Sequence, residues 1–274
     1  MSIKLVAVDI DDTLITDELV IPEMVKEAIA AARSKGVKVV LATGRMLSST
    51  IPVAQELGLT EPLICYNGAL IQGAHDEQPL VHHPIPLDLA REIVALGQEE
   101  GLHVNVYLDG EMYVKELNKY SEFYAYFTKV LGHPVGDLLA FMDRPPTKLL
   151  YVCEPETAER WRLHLKELYR GRLEVFRSKA EYVEFTALGV SKGAALRELA
   201  ELYGLVPAEV MAIGDSFNDI PMLEYAGIAV AVANAPEIVR SKADYVTLSN
   251  EECGVAEAIN RFVLSYSKTH SVGL

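Results

Sequence analysis

The chain has 274 residues, half of them hydrophobic, and a formal net charge of −14. That length suggests one large or two moderate domains of a soluble globular protein with a substantial core. The acidic balance, with no run of Lys and Arg to neutralise a row of phosphates, argues against nucleic acid as a partner.

Cys65, Cys153 and Cys253 are far apart and form no CxxC pair, which disfavours a disulfide scaffold or a zinc knuckle. Met1-Ser2-Ile3-Lys4 runs directly into an apolar segment without the zones of a signal peptide, and no apolar stretch approaches the roughly 20 residues needed to span a bilayer. A cytoplasmic location without membrane partners is the resulting expectation, and the oligomeric state is open between monomer and homodimer.

The pattern begins with an extended Ile3 to Asp9, then a helical Pro22 to Lys35, in which Met24, Val25, Ala28, Ile29 and Ala32 make one apolar stripe. Pro22 suits a first helical turn and Gly36 a left-handed C-terminus. Val37 to Thr43 has the β-branched richness of a buried strand, and Leu47 to Leu57 reads as helix. Pro62 to Tyr66 is extended and leads through Asn67-Gly68, a tight-hairpin signal, to Ala69-Leu70-Ile71.

From about Pro84 the pattern changes. Helical Leu87 to Glu100 precedes a hairpin, His103 to Leu108 and Met112 to Lys115, turned at Asp109-Gly110. A helix, strand, helix succession then covers Leu117 to Val175, with Lys148 to Cys153 extended and Pro155 to Tyr169 helical. Regular alternation resumes with helical Ser191 to Tyr203, extended Val210 to Ile213, a helix near Asp219 to Tyr225, strands at Ile228 to Val232 and Tyr245 to Thr247, and a last helix near Val255 to Val263. The polar tail from Ser265 to Leu274 is expected to fray. The class is α/β: a Rossmann-like parallel-sheet core built from both chain ends, residues 1–84 and 189–274, with an inserted α/β cap over residues 85–188.

Chemistry concentrates where strands end. Asp9-Ile10-Asp11-Asp12-Thr13-Leu14 follows the first strand, and so many carboxylates together resist ionisation unless a cation or donors hold them. A hard, oxygen-preferring dication such as Mg²⁺ resolves that conflict. Thr43-Gly44-Arg45 follows the second strand, Ser191-Lys192-Gly193 opens a helix, and Gly214-Asp215-Ser216-Phe217-Asn218-Asp219 follows the Val210 to Ile213 strand. In an open parallel sheet, ligands bind beyond the carboxyl ends of the strands, so three of these segments should converge. A cation at Lys192, in a helix's first turn, opposes the helix dipole, which favours a functional role for it.

These four segments, in this order, resemble the haloacid dehalogenase (HAD) superfamily, most closely its Cof-type phosphohydrolase branch. Tyr66-Asn67-Gly68-Ala69, Asn234-Ala235 and Ala243-Asp244-Tyr245-Val246 are similar to further motifs of that branch. The resemblance implies that Asp9 is a nucleophile forming an aspartyl-phosphate, and that Asp11 protonates the leaving alcohol and then activates water. It implies Mg²⁺ held by Asp9, the backbone carbonyl of Asp11 and Asp215, with Asn218 and Asp219 orienting Asp215, bound water or Lys192. Thr43 and Lys192 would donate to the phosphoryl oxygens, with Gly44, Arg45 and Asn67 completing the substrate contacts. Many relatives have Gly where this chain has Asp12, and Val232-Ala233 replaces the Met-Gly that often precedes Asn-Ala.

By the same resemblance the insertion is a cap that closes over the crevice, with Lys148, Arg177, Lys179 and Glu184 as candidate contacts. Tyr107, Tyr113, Tyr120, Tyr124 and Tyr126 could stack on a flat ring, but half-buried packing is the preferred reading. His82 and His83, adjacent on a strand, should face opposite ways and not share a metal. The implied activity is a Mg²⁺-dependent phosphatase for small phosphorylated metabolites, sugar phosphates first and flavin, pyridoxal or nucleotide-precursor phosphates second. A phosphomutase and a non-catalytic phosphometabolite-binding module are the alternatives.

Overall fold

The computed structural model describes residues 2–265; most of the tail from Ser265 onward, expected to fray, lies outside them. Five strands form a parallel sheet in the order Tyr245–Val246, Ile228–Ala231, Val210–Gly214, Leu5–Val8 and Lys38–Leu41. Leu5–Val8 is an interior strand, and all four of its side chains are buried, because helices cover both faces of such a sheet. Val8 pairs with Ile213 on one side and with Leu41 on the other, so the strands finish level. This register sets Asp9, Thr43 and Asp215 side by side at one edge.

A parallel bridge from Ala42 to Ile64 joins the Leu63–Cys65 strand, which starts a three-stranded antiparallel sheet with Leu70–Gln72 and Val81–His82. The hairpin expected at Asn67-Gly68 forms with a wider loop, because Tyr66, Asn67 and Gly68 all have positive φ. Gly68 is required by proximity, since a Cβ there would strike the carbonyl of Ser191. That close approach docks the loop on the helix Lys192–Leu202, whose own Gly193 admits the backbone of Pro221 in the same way.

The region between holds a six-stranded sheet in the order Leu173–Phe176, Tyr182–Ala187, Lys148–Val152, His103–Leu108, Glu111–Val114 and His133–Pro134. Its pairs are antiparallel except the last. Asp109 and Gly110 both have positive φ, as the expected two-residue turn demands. The succession over Leu117 to Val175 differs from expectation: Lys119–Thr128 and the single turn Leu138–Phe141 are helical, and Leu173–Phe176 is a strand. Gly171, at φ 72°, stops the preceding helix, and Leu173 and Val175 then alternate inward.

Helices Leu87–Glu99 and Pro155–Leu168 cover one face of this sheet, burying Val104, Val106, Leu149, Tyr151, Val183 and Phe185 in their own apolar cluster. Period-two alternation turns Tyr107, Leu150 and Tyr182 to the other face, where they join the apolar cluster of the parallel-sheet domain. Among the described residues no helix is long and apolar enough to cross a membrane.

Candidate active site

The first strand ends at Val8, and its hydrogen-bonding continues one residue further, the Asp9 amide donating to Ile213 O at 3.0 Å. The chain then turns sharply. Asp12 takes φ 60°, a left-handed conformation that Asp tolerates better than most residues and that Gly adopts without strain. Asn234 holds that turn by donating to Asp12 O at 2.7 Å while its own carbonyl accepts from the Asn250 amide at 3.1 Å. Asn234 is thus a clamp on the Asp9 loop.

Lys192, at the start of its helix and 1% exposed, reaches Asp9 Oδ1 at 2.5 Å and Asp219 Oδ1 at 2.6 Å. Asp219 Oδ2 accepts from the amides of Asp215 and Ser216 at 3.0 and 2.9 Å, so both of its oxygens are committed. Asp215 accepts from Thr13 Oγ1 at 2.9 Å and from Ser216 Oγ at 2.7 Å. Arg45 grips both oxygens of Asp11 from Nε and Nη2, at 2.9 and 2.6 Å.

Burial lifts the Asp9 carboxyl well above its usual range, with Asp219 adding to the rise and Lys192 opposing it. Burial and then Asp219 push Asp215 up to about 6. For Lys192, burial pulls down but Asp219 and Asp9 together outweigh it, so the group is raised and stays an ammonium. Carboxylate oxygens of Asp9, Asp215 and Asp219 lie within 4.8 Å of one another. Three buried carboxylates around one ammonium leave an excess of negative charge, all of it on hard oxygen donors. That donor set fits a small dication, with Asp9 and Asp215 keeping lone pairs beyond their ammonium and hydroxyl partners and Asp219 bound to Lys192 and the loop amides.

Asp9, Asp11, Gly44, Arg45, Lys148, Lys179, Glu184 and Asn218 line one cavity of about 150 Å³ between the two sheets. Thr43 is fully buried beside them, its hydroxyl accepting from the Arg45 amide at 3.1 Å. Asn67 faces the site through its neighbours: it accepts from Asn218 Nδ2 at 2.8 Å and donates to Glu184 Oε2 at 3.4 Å. Asn218 thus bonds Asn67, while Asp219 holds Lys192 and the Asp215 amide, and Thr13 and Ser216 hold the Asp215 carboxylate.

Arg177 lies outside that cavity. It follows the edge strand Leu173–Phe176, pairs with Glu159 at 3.1 Å and lines an adjoining cleft of about 420 Å³ that Asn67, Lys192 and Asn218 also line. Among the named tyrosines, Tyr124 lines the cavity and its hydroxyl accepts from the Tyr107 hydroxyl at 2.6 Å, whereas Tyr113 packs on Phe141 and Tyr126 is exposed. His82 and His83 do face apart, toward Thr147 and Glu198.

Sequence reasoning missed Thr13 and Ser216, although both stand inside the motifs it used and a hydroxyl beside a clustered carboxylate is a readable signal. It also missed Ser178, Phe127 and Tyr182 on the cavity wall, which belong to no motif.

Residues 6–259 match the family described as haloacid dehalogenase-like hydrolase. The chain is 34% identical over 268 residues to the Bacillus subtilis 5-amino-6-(5-phospho-D-ribitylamino)uracil phosphatase YcsE, covering 96% of this chain and 97% of the relative. A haloacid dehalogenase-like hydrolase from Bacteroides thetaiotaomicron superposes with a TM-score of 0.87 at 30% identity, over 95% of this chain and 99% of that one. The HAD subclass IIB sugar phosphatase BT4131 superposes with a TM-score of 0.82 at 27% identity, over 94% of this chain and 98% of that one.

Proposed function

We propose, for a chain that belongs to the haloacid dehalogenase-like hydrolases and is a phosphatase of their Cof-type branch, that it hydrolyses small phosphorylated metabolites with Mg²⁺, sugar phosphates foremost. The observation that carries this reading is Lys192 bridging Asp9 and Asp219, beside Asp215, at a cavity that also holds Asp11. A buried ammonium clamping a carboxylate that points into a cleft neutralises part of the repulsion an anionic ester would meet there.

Asp9 attacks phosphorus as the bond to the leaving oxygen breaks, and Asp11 gives that oxygen its proton. Asp11 then takes a proton from water, whose oxygen bonds phosphorus and releases Asp9, so phosphate and the alcohol are the products. Asp9, Asp215 and the Asp11 carbonyl would hold Mg²⁺, which when bound would supply positive charge against the cluster of carboxylates. Thr43 and Lys192 donate to the phosphoryl oxygens, and Gly44 and Asn67 keep the loops around them.

Arg45 has a particular place here. Its two-pronged hold on Asp11 must loosen before Asp11 can handle a proton at the leaving oxygen, and an arriving phosphate is the anion that competes for the guanidinium. Residues 85–188 act as the cap in this reading, closing the cavity against water. Nucleotide-precursor phosphates are the second substrate class, as the substrate named for the Bacillus subtilis relative indicates.

The test is release of inorganic phosphate from triose, pentose and hexose phosphates and p-nitrophenyl phosphate with Mg²⁺. Release should vanish with chelator, and Asp9→Asn should lower kcat by at least about 10³-fold. A folded wild-type protein that frees phosphate from no ester overturns the reading.

A further inference from the structure

The cap side of the cavity carries a buried ion pair that the phosphoryl chemistry does not use. Lys148 Nζ lies 2.5 Å from Glu184 Oε2, with the two side chains 5% and 2% exposed. They occupy adjacent strands, on the same face as Tyr107 and Tyr182. An ion pair is a poor means of holding a sheet together, because desolvation offsets most of the attraction and apolar residues of equal size do as well. The opposite face of those strands is apolar, with Leu149, Val183 and Phe185.

The pair also has capacity to spare. Lys148 reaches the Gly44 carbonyl only at 3.4 Å and the Tyr107 ring face at 5.2 Å, both weak contacts for an ammonium with three donors. Glu184 accepts from Ser178 Oγ and, at 3.4 Å, from Asn67 Nδ2. Tyr182, 4% exposed, lines the same cavity with its hydroxyl buried and without a partner among the described residues.

We infer that Lys148, Glu184 and Tyr182 are the specificity-determining groups of the site and take the hydroxyls of a polyhydroxylated, uncharged leaving group. This rests on the phosphatase reading above and extends it to the part of the substrate that does not react. Each alcohol both donates and accepts, so neighbouring hydroxyls match an ammonium and a carboxylate set side by side. A carboxylate on the leaving group would be repelled by Glu184. An aryl group without hydroxyls would leave the buried pair unmet, and rejection of this kind is much stronger than rejection by size in an apolar pocket.

Tyr124 and Phe127 offer an apolar wall for the C–H face of the same group. Gly44 and Asn67, the core partners of the pair, flank Thr43 and the Asn218 brace, so leaving-group contacts bear on the loops around the phosphoryl group. Binding energy from the hydroxyls should therefore appear in kcat as well as in KM.

The experiment compares the best sugar phosphate of the panel with p-nitrophenyl phosphate for wild type, Glu184→Gln, Lys148→Met, their double variant and Tyr182→Phe. Wild type should prefer the sugar ester by kcat/KM at least about tenfold. Glu184→Gln and Lys148→Met should each lower that preference at least about tenfold, through kcat and KM together, and Tyr182→Phe about threefold. The double variant strands no lone charge, and must show the same loss. The aryl ester, assayed in the same sample, reports a competent fold. An equal fall on both esters, or an unchanged preference, overturns the inference while the phosphatase reading stands. So does a wild type that hydrolyses the aryl ester and no sugar ester; release from neither overturns both.

Discussion

Among the described residues two lysines are buried, Lys192 beside the parallel sheet and Lys148 on the six-stranded sheet, and their surroundings differ in a way that separates fixed chemistry from recognition. Lys192 is held between Asp9 and Asp219 at 2.5 and 2.6 Å, and those acids raise its proton affinity despite burial. It is a permanent cation in a fixed position, as a group facing developing negative charge should be. Lys148 has one carboxylate at 2.5 Å and otherwise a carbonyl at 3.4 Å and a ring face. It is anchored at one point and can turn its other donors to whatever enters the cavity.

The largest break in this contrast is Lys192→Met. It should cost at least about 10²-fold in kcat on sugar and aryl esters alike, because a donor to the reacting phosphoryl group is lost whatever the leaving group. It should also cost stability on the order of 3 kcal/mol, since Asp9 and Asp219 would be stranded in the interior. Steady-state kinetics on both esters, with urea unfolding, checks this; an effect confined to the sugar ester would make Lys192 a recognition residue and erase the distinction from Lys148.

A smaller effect concerns Asp215 and pH. Burial first, and Asp219 second, raise its carboxyl to about 6 from an ordinary 3.8. The folded protein thus binds this proton more tightly than the unfolded chain. The contribution to stability is full below the ordinary value and is lost as pH rises through about 6. In chelator, Asp215→Asn should therefore melt higher than wild type near neutral pH, with the difference shrinking toward about pH 4. Thermal unfolding across that range decides it, and a difference independent of pH would show that Asp215 carries no buried charge. Added Mg²⁺ should reverse the order near neutrality, because only the carboxylate can ligate it.

The smallest effect is at Asp12. Gly there relieves the left-handed β-carbon but loosens the unfolded chain, so Asp12→Gly should change stability by less than about 1 kcal/mol and leave kcat within about twofold. A β-branched residue, Asp12→Val, should lose more than about 1 kcal/mol. Urea midpoints for the two variants check the pair.

The core site was legible because its signals are local. Strands such as Leu5–Val8 announce themselves as apolar runs, the carboxylates stand at the residue where the run ends, and parallel pairing with level ends brings Asp9, Thr43 and Asp215 together. The cap was not. Lys148, Lys179 and Glu184 drew notice only as charged residues, in the same group as Arg177, which turns to Glu159 and a different cleft. Tyr182 and Ser178 drew none. The strands Leu173–Phe176 and Tyr182–Ala187, which place the cap residues, were themselves not distinguished from their surroundings.

By itself, then, the sequence determined the α/β class, the parallel core and the identity of the acids and the ammonium at its edge. Only the tertiary structure decided that Asp219 is spent on Lys192 and two amides, that Asn218 braces Asn67, and that Lys148 and Glu184 meet over the cavity. The reason is physical: a strand's own alternation says which side chains share a face, but which face is turned toward the reacting groups depends on pairing between distant strands and on how one sheet docks against another.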